Sequence, residues 1–192
     1  MRARDNPFRT ERVLQIRYRM RDTTWPQLLA RLERLRFRAA LVGPQGAGKT
    51  TLLEDLQERL SQTGFGTLCI RLDDEQRSFE SRFLDSLFGG LTGNEIILFD
   101  GAEQMSPLAW WRFQRRSRRA RGLIITTHRP GRLPTLLECR TTAELLAGIA
   151  SELLGEDLER VQSKAEMLYQ KYRGNLRDAL REWYDHHAYE KR

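Results

Sequence analysis

Apolar positions along the chain follow two rhythms, and each change of rhythm predicts a change of element. Residues 1–23 are polar and basic and resist assignment. Thr24, with Gln27 three residues on, forms a capping box, and Leu28, Leu32 and Leu35 then recur at helical spacing. Ala39 to Val42 is a short apolar run that predicts a buried strand ending at Gly43. From Lys49 to Leu60 the helical rhythm returns, with Leu52, Leu53, Leu56 and Leu60 on one face, until Gly64 and Gly66 break it. Thr67 to Leu72 reads as a second strand, followed by the acids Asp73, Asp74 and Glu75. Phe79, Phe83, Leu84 and Leu87 mark a helix closed by Gly89 and Gly90. Residues 95–99 form a third strand that runs into Asp100. Ser106 and Pro107 start another helix, a cap followed by proline at the first position, and Gly122 stops it. On that helix the run from Trp110 to Gly122, aromatic and basic together, offers a nucleic-acid face as one reading; the preferred one has Leu108 and Trp111, with Trp110 or Phe113, facing the core and the arginines facing water. Leu123 to Thr126 is a fourth strand, and a short fifth is expected near 137–141.

Strands that alternate with crossover helices predict an α/β fold with a parallel sheet covered on both faces. At Thr141 the pattern changes. The run Thr141-Thr142-Ala143-Glu144 is a capping box, and three helical segments follow without a strand. The middle segment carries Leu158, Val161, Ala165, Leu168 and Tyr172; the last begins at Asn175 and carries Leu176, Leu180, Trp183 and His187. The expected organisation is an N-terminal segment and helix over 1–37, an α/β core over 38–141 and a small helical lid over 142–192.

Composition narrows this picture without redirecting it. The net charge is +7, and all but four of the 33 basic residues are arginines. Such a balance permits an anionic partner but does not demand one. Cys69 and Cys139 lie far apart in apolar, strand-like runs with no CxxC or histidine cluster, so both are expected as buried thiols in a reducing compartment. The N-terminal residues are charged throughout, without the apolar stretch of a secretory signal, and no run is long enough to span a membrane. A cytoplasmic protein is expected.

The chemistry concentrates in Gly43-Pro44-Gln45-Gly46-Ala47-Gly48-Lys49-Thr50, which satisfies G-x-x-x-x-G-K-[ST] in full. Its glycines permit backbone conformations that turn N–H groups toward phosphates, and the following helix N-terminus adds its positive end. Lys49 supplies a mobile charge for β- and γ-phosphates. Thr50 offers a hydroxyl ligand to Mg²⁺, and Thr51 continues the cradle. Asp100, at the end of an apolar strand, is the expected water-mediated Mg²⁺ partner.

With these residues in place, the chain from about residue 38 onward resembles the P-loop NTPases of the additional-strand type, nearest to the AAA+ and STAND-like ATPases. Residues 43–50 match the family's Walker A motif and 96–100 its Walker B. The resemblance implies a five-stranded parallel core of order 5-1-4-3-2 with a C-terminal helical lid, and ATP with Mg²⁺ as ligands. It implies a polar residue at the end of the fourth strand that touches the γ-phosphate or the attacking water; Thr126, Thr127 and His128 are the candidates, with Thr127 preferred. It assigns Arg177, in Gly174-Asn175-Leu176-Arg177, to the lid arginine that reaches the nucleotide, although Asn175 and Asp178 also make an ordinary helix cap. Arg129 and Arg132 lie where oligomeric relatives carry an arginine finger. Asn6-Pro7-Phe8 is a candidate contact for the base.

One departure matters. The family places glutamate directly after the Walker B aspartate, and Gly101 stands there. Candidate substitutes for the general base are Asp74 and Glu75 after the second strand, and Glu103 one turn beyond Asp100. Slow or partner-dependent hydrolysis follows from this departure. The first functional reading is therefore an ATP-binding switch or remodeller that acts on a protein partner or on copies of itself. A small-molecule kinase is a second reading, and it fails if the strand 122–126 lies between the phosphate-loop strand and the strand 95–99. A nucleotide-gated DNA-binding protein is a third.

Overall fold

The computed structural model of the chain describes residues 6–72, 79 and 81–189, so Asp73, Asp74 and Glu75 lie outside the described residues. In chain order the helices are α1 (Thr10–Val13), α2 (Trp25–Arg34), α3 (Lys49–Gln62), α4 (Ser81–Gly89), α5 (Pro107–Arg116), α6 (Ala143–Leu154), α7 (Leu158–Lys171) and α8 (Leu176–Tyr189). The strands are β1 (Arg38–Val42), β2 (Gly66–Arg71), β3 (Glu95–Asp100), β4 (Gly122–Thr127) and β5 (Thr135–Glu138). The chain divides into two compact units. A sheet unit comprises Arg19–Gly43 and Lys49–Glu138; a helical unit comprises Tyr18 and the described residues before it, Pro44–Gly48, and the chain from Cys139.

In the sheet unit every strand pairing is parallel and the order is β2-β3-β4-β1-β5. That is the expected order read from the opposite edge. β4 lies between β1 and β3, the arrangement that excludes the small-molecule kinase. The interior strands are apolar because both faces are covered: all six residues of β4 and the four from Ile96 to Phe99 in β3 are buried. Burying each Ile, Leu or Phe in this layer contributes about 1.5–3 kcal/mol. β2 is an edge strand with only Ile70 buried in its span, and Cys69 is exposed, contrary to the expected buried thiol. An edge strand has one flank open, so an apolar run there does not guarantee burial. Cys139 is buried, just past β5. β5 starts two residues earlier than expected, and its register with β1 shifts between Ala40 and Leu41.

Helix α2 begins as its sequence requires: the Thr24 backbone N–H donates to Gln27 Oε1 at 3.0 Å, and Leu28 and Leu32 are buried. α5 starts on Ser106, whose Oγ accepts from the Ala109 N–H at 3.3 Å. Its buried face is not the expected one. Trp110 and Phe113 are buried, whereas Leu108 and Trp111 are 57% and 55% exposed. Both pairs have helical spacing, so periodicity alone leaves the rotation of the helix open. An aromatic cluster decides it, with the Phe113 ring 4.9 Å from Phe99 and 5.4 Å from Phe88.

The helical unit packs one face of each of its three long helices into a common core. Leu146, Ala150 and Leu153 of α6 meet Val161, Ala165 and Leu168 of α7 and Leu176, Ala179 and Trp183 of α8. Leu158 is 48% exposed and takes no part. Thr142, one residue past the cap that the Thr141–Glu144 pattern predicts, caps α6, accepting from the Leu145 N–H at 3.2 Å, while Thr141 Oγ1 donates to the Gly174 carbonyl at 2.9 Å; Gly155 ends the helix in the left-handed conformation. Phe8 is buried and stacks on Trp183 at 5.4 Å, while Asn6 Nδ2 donates to the Tyr184 carbonyl at 2.9 Å. Asn6 and Phe8 therefore cover α8 and are not presented to a nucleotide base. Among the described residues no helix is long and apolar enough to cross a membrane.

Candidate functional site

β1 delivers the chain to the phosphate loop. The Gly43 N–H donates to the Thr127 carbonyl at 3.1 Å, which continues the β1–β4 pairing by one residue. The loop then turns through left-handed conformations at Gly46 (φ 73°) and Gly48 (φ 77°), where a side chain would be strained. Pro44 and Gln45 are exposed and Ala47 is buried. Lys49 opens α3 and is 8% exposed, its Nζ donating to the Gly43 carbonyl at 2.8 Å. Thr51 follows in the first turn, partly buried.

Within the sheet unit the strand ends meet at Asp100. Thr50 Oγ1 donates to Asp100 Oδ2 at 2.9 Å. Thr126 Oγ1 donates to Asp100 Oδ1 at 2.6 Å and accepts from the Gly101 N–H at 2.9 Å. Arg71 Nε lies 3.2 Å from Asp100 Oδ2, and its Nη2 lies 3.4 Å from Glu54 Oε1. Both carboxylate oxygens of Asp100 are thus oriented by hydroxyls, with a guanidinium beside them. Of the three residues at the end of β4, Thr126 is the one that bonds Asp100. Thr127, the preferred candidate, donates instead to the Arg129 carbonyl at 2.8 Å. The role of Arg71 has no signal in the sequence pattern. It is opposite Asp100 in the β2–β3 register, and only the pairing of those strands brings the two together.

Gly101 has φ 85°, and a Cβ built on it would lie 2.2 Å from the Leu72 carbonyl oxygen. No L-residue fits there without moving backbone, because Leu72 is itself tied by its N–H to the Asp100 carbonyl at 2.9 Å. The position after the aspartate is therefore closed to glutamate by sterics. Beyond it a 3₁₀ turn, Ala102–Gln104, begins at once and carries Glu103. Glu103 Oε1 lies 3.1 Å from His128 Nε2, and its Oε2 is buried without a hydrogen-bond partner among the described residues. Arg132 is held inside the same unit, donating from Nη2 to the Met105 carbonyl at 2.6 Å with its guanidinium 5.1 Å from the Trp110 ring centre. Burial lowers its pKa, opposed by the charge of Glu103. That anchoring leaves Arg132 unsuited to the arginine-finger position considered for it. Arg129 is exposed.

In the helical unit the loop residues Gly46 and Gly48 meet side chains at close quarters. A Cβ on Gly46 would fall 1.9 Å from Asn175 Oδ1, and one on Gly48 would fall 3.3 Å from the Tyr18 ring. Asn175 caps α8, accepting from the Asp178 N–H at 3.3 Å and donating to Asp178 Oδ2 at 2.6 Å. Arg177 is exposed in the first turn of α8 and, among the described residues, its side chain makes no hydrogen bond or ion pair. Asp74 and Glu75 lie outside the described residues.

No protein-family model and no curated protein matches the chain. Solved structures do match. The Thermotoga maritima RuvB Holliday junction branch migration motor aligns at 20% identity and TM-score 0.54, over 81% of this chain and 58% of that one. A lysine-to-arginine mutant of the same RuvB aligns at 18% identity and TM-score 0.55 over the same shares. The fold is that of a P-loop NTPase. The chain spans 58% of the length of these structures, and at this identity the likeness speaks for the fold alone.

The residues present suit a magnesium nucleotide. Thr50 and Asp100 offer the hard oxygen donors that Mg²⁺ prefers when phosphates complete its shell. The left-handed glycines at 46 and 48 are the conformations of a loop that turns N–H groups toward an anion.

Proposed function

We propose that the chain is an AAA+-like ATPase that binds ATP with Mg²⁺ at residues 43–51 and hydrolyses it slowly or on demand from a partner. The observation that carries this reading is the 2.9 Å hydrogen bond between Thr50 and Asp100. Fifty residues apart in sequence, they are the two groups that would hold the metal, and the fold supports them on a helix start and a strand end. When bound, Mg²⁺ neutralises charge on the phosphoryl oxygens. Lys49 is the charge for the β- and γ-phosphates. Thr126 orients Asp100. Arg177, exposed and with no side-chain partner among the described residues, is proposed as the lid arginine on the family resemblance alone.

Gly101 excludes the usual base, so the activity is expected to be low. Glu103, paired to His128 and with one oxygen unsatisfied, is the base candidate within the described residues. Asp74 and Glu75 are its rivals. Because phosphoryl transfer is catalysed chiefly by positioning and electrostatics, a base from an unusual position is chemically adequate. Hydrolysis then biases the helical unit and so switches a protein partner or a second copy of the chain.

The test is thermal unfolding with and without Mg²⁺-ATP, together with release of free phosphate. At about a hundredfold over Kd, ATP is expected to contribute about 2.7 kcal/mol, a rise in Tm of roughly 5–10 °C. Lys49→Ala is expected to lose most of that rise; an undiminished rise overturns the phosphate-loop assignment. Glu103→Gln is expected to lower phosphate release by roughly 10²–10⁴-fold with ATP binding retained. Unchanged release in that variant removes Glu103 from the role and passes it to Asp74 or Glu75.

A further inference from the structure

The rotation of α5 leaves an unexpected surface on the sheet unit. Leu108, Trp111, Arg112, Arg115 and Arg119 fall at intervals of three and four, so they form one stripe along α5 and the turn that follows it. All five are exposed. Arg116, beside the stripe, pairs with Asp85 of α4 at 3.1 Å, and the two helices border a groove of about 600 Å³. Among the described residues Asp85 is the one acid that lines it, and that acid is already matched. Among the described residues Arg112 and Arg119 make no side-chain hydrogen bond or ion pair. The Arg115 guanidinium lies 5.8 Å from the Trp111 ring centre, at cation–π range. The groove shares no residue with the phosphate loop, and its reading does not rest on nucleotide binding.

We infer that this groove binds single-stranded nucleic acid, with Trp111 as a stacking platform for a base and Arg112, Arg115 and Arg119 on consecutive phosphates. Three features select this occupant. The charge is almost wholly guanidinium, whose planar fork bonds phosphate oxygens two at a time. The single large aromatic in the stripe is an indole left 55% exposed, outside the aromatic cluster that fills the core. Base–aromatic stacking beside a positive track is how strands are held without sequence readout. An acidic peptide would need an apolar slot for anchoring side chains, and Phe88, the other ring lining the groove, is only 3% exposed. A duplex hides its base faces and leaves Trp111 nothing to stack on.

The experiment is fluorescence anisotropy of the whole chain with a labelled twelve-nucleotide oligothymidylate, titrated at several salt concentrations. Three neutralised phosphates predict a slope of log K against log salt of about −2. Trp111→Ala is expected to weaken binding by roughly 5- to 100-fold, and Trp111→Phe to restore most of it. An abasic strand of equal length is expected to bind as weakly to the wild type as the oligothymidylate binds to Trp111→Ala. The triple change of Arg112, Arg115 and Arg119 to alanine is expected to flatten the salt slope. All these side chains are exposed, so the variants are expected to melt with the wild type, which an apo melting curve checks. The proposal is overturned if Trp111→Ala binds as tightly as the wild type. It is equally overturned if a duplex of the same length binds as well as the single strand, or if polyglutamate displaces the probe as effectively as unlabelled oligonucleotide.

Discussion

The two units hold their closest approaches in different ways. In the sheet unit Gly101 lies against the Leu72 carbonyl, backbone on backbone, between strands fixed by parallel pairing. In the helical unit Gly46 lies against the end of a side chain, Asn175 Oδ1. Both glycines have positive φ, so both resist replacement. Only the second contact can relax by a rotamer change. Of the polar groups of the sheet unit that would meet a metal, Asp100 is set on a strand end, where moving one residue breaks a ladder, and Thr50 is on the first turn of α3, bonded to it. The side chains that meet Gly46 and Gly48 in the helical unit, Asn175 and Tyr18, sit at a helix cap and in coil, settings that open at lower free energy. Fixed chemistry and adjustable contact are thus built from the same residue type in different backbone settings.

Alanine substitution makes the comparison measurable, and the largest effect belongs to the sheet unit. Gly101→Ala combines left-handed strain with a backbone collision, and a destabilisation of about 3 kcal/mol is expected from the two together. Gly64→Ala is the control, since its φ is 87° with nothing within 4 Å of a Cβ; it is expected to cost about 1 kcal/mol. Denaturant midpoints measured at constant m decide. Equal losses at the two positions would mean that the Leu72 carbonyl moves freely and that the rigid setting is wrong. A glutamate at 101 is expected to fare no better than alanine, and so to restore no hydrolysis.

Gly46→Ala is expected to fall between those values, because Asn175 can swing aside at the expense of its cap on Asp178. Asn175→Ala alone is expected to cost about 1 kcal/mol as a lost cap. The double variant then tests the contact: the two losses are expected to be less than additive, by about 0.5 kcal/mol or more. Strict additivity would show that the two residues do not touch in solution.

The smallest effect is confined to acid. Glu182 accepts from Lys171 at 2.6 Å and from the Tyr172 hydroxyl, with His186 at 3.3 Å on its other oxygen. These bonds, that of Lys171 foremost, lower its pKa from 4.5 to about 2. A depressed folded-state value means that the stabilisation is whole above the unfolded value and is lost as pH falls from about 4.5 to about 2. Glu182→Gln is expected to flatten the decline of Tm across that window and to leave its slope above pH 6 unchanged. An identical acid profile in the variant would remove Glu182 from the account.

Several features of both units are legible in the amino-acid sequence. The strand runs at 39–42 and 96–99, the leucine face of α3 and the capping box of α2 are local patterns, set by steric period and by neighbours within four residues. The phosphate loop is legible for the same reason, since its chemistry needs fixed residues at fixed intervals. The face of α5 is not, because Leu108 with Trp111 and Trp110 with Phe113 satisfy one period equally well. The exposure of Cys69 is not, because an edge strand and an interior strand can carry the same apolar run. The end of β4 offers three polar residues in a row, and strand alternation alone does not say which of Thr126 and Thr127 turns toward Asp100.

What the sequence by itself determined, then, is the inventory: a parallel α/β sheet, a helical tail, a phosphate loop and an aspartate with glycine after it. Local periodicity and backbone stereochemistry suffice for these. Tertiary structure alone decided which groups meet. It placed Thr50, Thr126 and Arg71 around Asp100, closed the position after Asp100 with the Leu72 carbonyl, drew Glu103 to His128, and turned Trp111 outward among arginines. Most of those pairings join residues far apart in the chain, and their distances depend on strand register and on which aromatic rings fill the core.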